Sequence, residues 1–262
     1  MKKLLTLLSF IPILLWANKP PTTIQLNNEW QFTQMNKNEW RSATVPGSVQ
    51  RDLIKQEVLP NPYFGTNEDS VQWVEEENWD FKKSFQLTEE QLKYDDALLT
   101  FEGLDTHADV YLNGSKLLYS ENMFVSHERS VKHLLREGSN HLYIRFYSPI
   151  QHLMPARITN DFEYPVGNDA RDEKMSIYSR KAPYHYGWDW GMRLVQMGIW
   201  RPVHLTLYNH SRIDDFFVQQ EAISEETATL TNYIEVHSLA DNATTAKINV
   251  SYAFPNQEKQ TK

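Results

Sequence analysis

The sequence predicts an all-β protein that begins with a two-sheet sandwich, and three observations support this fold class. Apolar and polar residues alternate over short segments through most of the chain, which is the pattern of half-buried antiparallel strands. Asn113-Gly114 separates two such segments, and this dipeptide is a strong signal for a two-residue hairpin. Helical signals are few and short. Closely spaced strands of this kind are typical of sandwiches and barrels.

The alternation also identifies which face of each predicted strand is buried. We assign these strands to one domain over residues 18–210. The predicted inward-facing residues are, in chain order, Trp30 and Phe32; Trp79, Phe81, Phe85 and Leu87; Ala108, Val110 and Leu112; Leu142, Ile144 and Phe146; and Val203, Leu205 and Leu207.

Two connecting segments have helical signals. Residues 48–59 begin with the N-cap residue Ser48 and place three apolar residues along one helical face. Residues 88–93 begin like a capping box, in which Thr88 and Gln91 cap each other. Both segments are expected to be short connectors on the β scaffold.

Three further alternating segments follow residue 210, namely IDDFFVQQEA, TLTNYIEVHSL and TAKINVSYAF. They are typical of the start of an immunoglobulin-like sandwich, which needs about seven strands and about 100 residues. Residues 211–262 hold about half that length. We therefore expect an incomplete immunoglobulin-like domain and a chain that ends inside it.

The N-terminus has the composition of a secretory signal peptide. Lys2 and Lys3 precede an apolar segment over residues 4–16, and Ala17 is a suitable cleavage site. We expect removal of residues 1–17 and an exported mature chain, periplasmic or extracellular, that is not held in a membrane. Because the sequence has no cysteine, neither a disulfide nor a lipidated cysteine is expected.

The charge and the motifs exclude several functions. The net charge of −8 becomes about −10 without Lys2 and Lys3, since 24 basic residues then face 34 acidic ones, and an acidic chain without a basic stripe is a poor nucleic-acid binder. The sequence lacks a phosphate-binding glycine loop, a nucleophile elbow and an H-E-x-x-H motif. We expect no metal and no cofactor, and structural roles for the histidines His107, His127, His133 and His141.

The alternation stops between Ser148 and Ile199, where about fifty residues rich in Pro, Gly, Asp, Arg and aromatics join two strands. A loop of this length inside a compact domain is usually functional. It contains HYGWDWGMR, with Trp188, Asp189 and Trp190 between two glycines. An indole presents a flat apolar face to the C–H face of a pyranose, and a carboxylate accepts hydrogen bonds from a pair of hydroxyl groups.

The triplet therefore has the groups of a sugar-binding tip. The alternative is that one or both tryptophans belong to the core and that Asp189 caps a turn. Basic residues near the triplet favour the first interpretation, namely Arg180, Lys181, His185 and Arg193.

Glycoside hydrolysis needs two carboxylates across the scissile bond, about 5–5.5 Å apart in a retaining enzyme. None of the acids of the loop has a context that would orient it for catalysis, and Asp189 alone is not taken as a surface acid by default. The others are expected at the surface, namely Asp161, Glu163, Asp169, Asp172 and Glu173. The acidic segment VEEENWD (74–80) is likewise expected to be a solvated face or a strand edge. The sequence therefore assigns no catalytic residue to this chain.

With these residues identified, the chain resembles the N-terminal portion of a β-mannosidase of glycoside hydrolase family 2, over about residues 25–210. Four stretches carry the resemblance: TVPGSVQRDLIKQEVLPNPYFGTNE (44–68), FEGLDTHADVYLNG (101–114), ENMF (121–124) and SRKAPYHYGWDWGMRLVQMGIWRPVHL (179–205). The first and the last are specific to the mannosidase branch of the family.

The resemblance implies a jelly-roll, galactose-binding-like domain, then an immunoglobulin-like domain, then a (β/α)₈ barrel that supplies both catalytic glutamates. It also implies that the GWDWG loop reaches into the pocket of that barrel. There Asp189 would bind mannose hydroxyls remote from the anomeric carbon, and Trp188 and Trp190 would form walls. Met192 departs from the family, which usually has proline at this position, and proline would fix φ in the loop.

The sequence thus predicts part of an exported, retaining exo-β-mannosidase that removes terminal non-reducing β-D-mannose residues. The chain alone is expected to be inactive, because the glutamates lie in the barrel on which this sandwich would pack. Two alternatives stay open. One is a stand-alone, non-catalytic carbohydrate-binding module, and the other is a fragment of another family 2 β-glycosidase.

Overall fold

Strands make up most of the regular structure. The computed structural model describes residues 19–167, 169–240, 245, 247–253 and 260–261, so the predicted signal peptide lies outside the described residues. The strands are β1 (Thr22–Gln25), β2 (Trp30–Gln34), β3 (Arg41–Ala43), β4 (Trp79–Leu87), β5 (Asp96–Phe101), β6 (Leu104–Asp105), β7 (Ala108–Leu112), β8 (Ser115–Ser120), β9 (His127–Ser130), β10 (Gly138–Phe146), β11 (Gly198–Ile199), β12 (Val203–Tyr208), β13 (Ser211–Ile223), β14 (Ala228–Ser238), β15 (Ser251–Tyr252) and β16 (Gln260–Thr261).

Helices occupy the connections. They are α1 (Val49–Lys55), α2 (Asn67–Val71), α3 (Trp73–Glu76) and α4 (Pro149–Ile158), and short 3₁₀ turns cover Gln91–Lys93, Lys132–Leu134, Met175–Tyr178 and Pro183–Tyr186. Among the described residues, no helix has the length and hydrophobicity needed to cross a bilayer.

Two antiparallel sheets form the sandwich, which lies in a first compact unit that ends at Tyr208. The larger sheet has the strand order β3-β2-β4-β10-β7-β8, and the smaller one has the order β1-β12-β5-β9. β6 and β11 form a separate short pair. The long connection from β10 to β11 begins with α4 and carries the predicted site.

An apolar row runs across the six-stranded sheet. Phe32, Phe81, Ile144 and Val110 are successive cross-strand neighbours, and all four are buried. Every residue that the alternation predicts to face inward is buried, and the all-β sandwich is confirmed. The four-stranded sheet contributes Leu99, Phe101, Val203, Leu205 and Leu207 to the same core.

The two predicted connectors form largely as expected. Ser48 caps α1 by accepting a hydrogen bond from the Arg51 N–H. Thr88 and Gln91 cap each other through Thr88 N to Gln91 Oε1 at 2.9 Å and Gln91 N to Thr88 Oγ1 at 3.2 Å. The second segment closes only a 3₁₀ turn, because the chain enters β5 shortly afterwards.

Three helices were not predicted, and the exposure expected for an acidic segment was wrong. α4 starts at Pro149 with Ser148 as its N-cap, and a second proline, Pro155, lies inside it. α3 overlaps the VEEENWD segment, which we expected to be a solvated face or a strand edge. Its Glu75 is 2% exposed, because the side chain pairs with a buried arginine described below.

A second unit comprises residues 209–262. β13 and β14 form a long antiparallel hairpin with two register irregularities, and many of its apolar side chains are exposed, including Phe216 and Phe217. Of the third predicted strand, Lys247–Val250 is irregular and Ser251–Tyr252 is strand β15, paired with β16. The immunoglobulin-like assignment stays a prediction.

Candidate functional site

A cleft of about 1050 Å³ opens in the first unit between two segments of the chain. One is the segment over residues 62–68 and the other is residues 184–196 of the long connection. The predicted triplet lines this cleft, with Trp188 43% exposed, Trp190 85% exposed and Asp189 also exposed. The alternative that one or both indoles belong to the core is therefore wrong. The role of the triplet in sugar binding stays a prediction.

The triplet lies on a tight reversal of the backbone. Trp188 and Gly191 exchange two backbone hydrogen bonds, of 3.1 and 3.2 Å, so Asp189 and Trp190 lie at the outer end of the turn. Gly187 enters this turn with φ 110°, a conformation that favours glycine. The two indoles meet edge to face with centroids 6.3 Å apart. We call residues 188–191 the tip.

Arg193 anchors the C-terminal side of the tip. Its buried guanidinium donates to Asp169 Oδ1 at 2.5 Å and to Glu75 Oε1 at 2.9 Å, and it lies over the Tyr186 ring. Its backbone N–H donates to Glu68 Oε1 at 2.7 Å. Burial raises the pKa of Glu75, and the nearby Arg193 opposes this rise. Because a buried charge is strongly destabilising without its partner, these contacts hold the tip to α2 and α3.

A second buried ion pair ties the connection to the β6–β11 pair. The Lys181 ammonium, fully buried, donates to Asp105 and to the Gln196 carbonyl oxygen. Burial lowers the pKa of Lys181, and Asp105 opposes this shift. Burial and the Lys181 charge together lower the pKa of His185 to about 4, so His185 is neutral near pH 7 where it lines the cleft.

The basic residues near the triplet therefore act mainly from inside the protein. Lys181, His185 and Arg193 are buried, and Arg180 is exposed. The sequence correctly associated them with the loop, but the alternation pattern gave no sign that two of them brace the loop from within.

The acids of the connection have three different environments. Asp189 lines the cleft. Asp169 is 3% exposed and accepts hydrogen bonds from Arg193 and from the Ser176 N–H, so its predicted surface position was wrong. Asp161, Glu163 and Asp172 are exposed and Glu173 is half-buried. Of the acids of the connection that the structure describes, these exposed and half-buried ones do not line the cleft.

The other wall of the cleft belongs to the stretch 44–68, which carries the family resemblance, but the sequence assigned none of its residues to a site. Tyr63, which is 81% exposed, and Glu68 lie there with Pro62 and Gly65. The available signal was the pair Tyr63-Phe64 in a Pro- and Gly-flanked segment without alternation, since such aromatics have no strand face on which to be buried.

Three of the predicted structural histidines have hydrogen-bonding partners within the protein. His107 contacts the Tyr119 hydroxyl at 3.1 Å and the Ser179 hydroxyl at 3.2 Å, His127 contacts Ser120, and His141 contacts the Ser84 hydroxyl at 2.8 Å. Within the part of the chain that the structure describes, no group of three His, Cys, Asp or Glu side chains converges on a metal position.

Comparison with known proteins assigns the chain to a family. Residues 30–201 match the family model described as the glycosyl hydrolase 2 galactose-binding domain-like domain. The chain is 35% identical over 205 residues to β-mannosidase B of Thermothelomyces thermophilus, covering 76% of this chain and 23% of that protein. It is 34% identical over 233 residues to β-mannosidase B of Aspergillus clavatus, covering 86% and 27%.

A solved structure shows the same arrangement of the chain. The β-D-mannosidase from Dictyoglomus thermophilum superposes with a TM-score of 0.78 at 38% identity, covering 83% of this chain and 26% of that one. The chain thus spans about a quarter of the length of the relatives that it matches.

Proposed function

The chain belongs to glycosyl hydrolase family 2 through its galactose-binding domain-like part, and from this premise we propose that it is the N-terminal part of a retaining exo-β-mannosidase. The observation that carries the proposal is the exposed Trp188-Asp189-Trp190 tip on the wall of a large cleft. The identity of 34–38% to proteins described as β-mannosidases supports mannose as the sugar.

The tip has the chemistry that a terminal mannose ring requires. The indoles of Trp188 and Trp190 are nearly perpendicular, at 77°, so they can bound a pyranose ring on two sides. The Asp189 carboxylate can accept hydrogen bonds from two neighbouring hydroxyls, and charge-assisted bonds of this kind are strong and directional. Because buried ion pairs hold the loop, the tip is ordered before the sugar arrives, which reduces the entropy lost on binding.

In this proposal the chain contributes binding and the rest of the enzyme contributes catalysis. A retaining mechanism needs one carboxyl group as nucleophile and a second as acid and then base, about 5–5.5 Å apart. Asp189 and Glu68 line the cleft, but Glu68 is engaged by the Arg193 N–H. The catalytic pair is therefore assigned to the family's barrel, which would pack over the cleft, and the 262-residue chain is expected to be inactive alone.

Export is part of the same proposal. It depends on the basic start at Lys2 and Lys3, the apolar residues 4–16 and the cleavage position at Ala17. N-terminal sequencing of the protein recovered from the periplasm or the medium would test it, with a mature start just after Ala17 as the expected result.

The test of the enzymatic role uses the full-length gene product. Its kcat/KM should be higher on 4-nitrophenyl β-mannoside than on the matching β-galactoside or β-glucuronide. Asp189→Ala should lower kcat/KM on the mannoside by about a hundredfold or more, because two charge-assisted hydrogen bonds of about 1.5–3 kcal/mol each are lost. Asp161→Ala removes an exposed acid of the same connection and should leave activity unchanged.

Two outcomes would refute the proposal. One is a preference for galactoside or glucuronide, and the other is an Asp189→Ala enzyme as active as the Asp161→Ala control. Calorimetric titration of the 262-residue chain with mannose adds a separate check. Saturable millimolar binding that Asp189→Ala abolishes would favour a stand-alone carbohydrate-binding module instead.

A further inference from the structure

The turn over residues 61–67 carries two adjacent aromatic side chains that the core does not use. Tyr63 is 81% exposed and Phe64 is 76% exposed. The turn is held by its own polar groups, since Asn61 Oδ1 accepts from the Tyr63 N–H at 3.0 Å and the Asn67 amide donates to the Asn61 carbonyl at 2.9 Å. The Phe64 N–H donates to the same carbonyl at 3.2 Å. Because hydrogen bonds hold the backbone of this turn, the Tyr63 and Phe64 rings are held in position although neither packs into the core.

Hydrogen bonds to the Arg193 backbone connect the segment after this turn to the segment after the tip. Glu68, which follows the turn, accepts from the Arg193 N–H at 2.7 Å, and the Gln72 amide donates to the Arg193 carbonyl at 2.8 Å. Arg193 follows the tip by two residues and is itself held by buried ion pairs. The position of Tyr63 relative to Trp190 is therefore set by the fold.

The two aromatics of the turn differ in one respect. Among the described residues, Tyr63 lines the cleft shared with the tip and Phe64 does not. The cleft, at about 1050 Å³, is slightly larger than the range of about 300–1,000 Å³ for pockets that hold a whole drug-sized ligand. A single hexose ring is smaller than such ligands, so the cleft has room for more than the ring at the tip.

We propose that Tyr63 forms a binding surface for the sugar on the leaving-group side of the scissile bond. The inference rests on the proposed function, because an exo-acting enzyme that holds the terminal mannose at the tip has substrate continuing in one direction only. The phenol ring of Tyr63 stacks on the C–H face of the second pyranose. The Glu68 side chain lines the same wall, and its Oε2, which the Arg193 N–H does not engage, can accept a hydrogen bond from a hydroxyl group of that sugar. Tyr63 thus determines specificity for oligosaccharides over simple glycosides.

The test compares two substrates that differ only in the leaving group, β-1,4-mannobiose and methyl β-mannoside, with the full-length enzyme. Tyr63→Ala should lower kcat/KM for mannobiose by about tenfold, equivalent to about 1.4 kcal/mol, and change that for the methyl glycoside less than about twofold. Tyr63→Phe keeps the ring and should behave like the wild type. Phe64→Ala removes the neighbouring exposed ring and should leave both substrates unaffected.

The outcomes separate this inference from the proposed function. If Tyr63→Ala lowers kcat/KM equally for both substrates, the ring packs against another part of the enzyme, and the inference is wrong. If Tyr63→Ala matches Phe64→Ala on both substrates, the inference is also wrong. Wild-type enzyme that hydrolyses neither substrate would refute the proposed function itself, and the inference with it.

Discussion

Replacing Lys181 with methionine tests how strongly the buried charges hold the connection that bears the tip. The Lys181 side chain is 0% exposed and that of its partner Asp105 is 3% exposed. Methionine fills a similar volume but leaves the Asp105 carboxylate without its counter-charge. Breaking a buried pair in this way costs about 3–5 kcal/mol. Asp105 keeps the Thr106 hydroxyl as a hydrogen-bond donor, so we expect the free energy of unfolding to fall by about 3 kcal/mol, near the lower end of this range.

The assay is urea unfolding of the 262-residue chain, followed by tryptophan fluorescence. Lys19→Met is the matched control, because Lys19 pairs with Glu90 in an exposed position and exposed pairs contribute little to stability. The double variant Lys181→Met/Asp105→Asn removes both charges and should recover most of the loss, since an uncharged replacement of a buried pair is often neutral.

The reasoning would be refuted in two ways. Lys181→Met could destabilise the chain no more than Lys19→Met does. Alternatively, the double variant could be no more stable than the Lys181→Met single variant, which would show that the loss comes from packing and not from an uncompensated charge.

Two other predictions concern the same unit. Burial lowers the pKa of His107 and of His185 to about 4, below the ordinary 6.5. The stability that each neutral ring contributes is therefore complete above about pH 6.5 and is lost as the pH falls toward 4, by up to about 3 kcal/mol per histidine. Urea midpoints measured from pH 7 to 4.5 should fall more steeply for the wild type than for His107→Gln. Gly198 has φ 150°, and a Cβ there would lie 2.9 Å from the Gly47 carbonyl oxygen, so Gly198→Ala should lower the free energy of unfolding by about 1–3 kcal/mol and lower the melting temperature. Gly167 has open space around it, so Gly167→Ala should leave the melting temperature unchanged.

The strands were predictable because their signal is local. Residues such as Phe81 and Ile144 reveal their buried face through alternation alone, and a half-buried sheet enforces that period. The hairpin at Asn113-Gly114 was predictable for the same reason, since both residues adopt positive φ. The exposure of the tip also followed from local composition, because glycines flank bulky side chains in a segment that has no periodic face.

The missed features depend on partners distant in sequence or on weak local signals. Glu75 looked like a surface acid because its partner, Arg193, is 118 residues away. Asp169 was misplaced for the same reason. α4 was missed because Pro149 and Pro155 are strong breaking signals and because only Pro149 and Ile150 of this helix are buried. Tyr63 could be assigned to the cleft only after folding had brought its turn to the tip.

The charges that hold the tip are sealed from solvent, and this determines how the cleft responds to dissolved salt. Mobile ions screen attraction between charges that they can surround, over about 8–10 Å at physiological ionic strength. They have little access to the pair of Arg193 and Asp169, whose side chains are 4% and 0% exposed. The wall of the cleft should therefore keep its shape from dilute buffer to brine, while the exterior pair of Lys19 and Glu90 loosens.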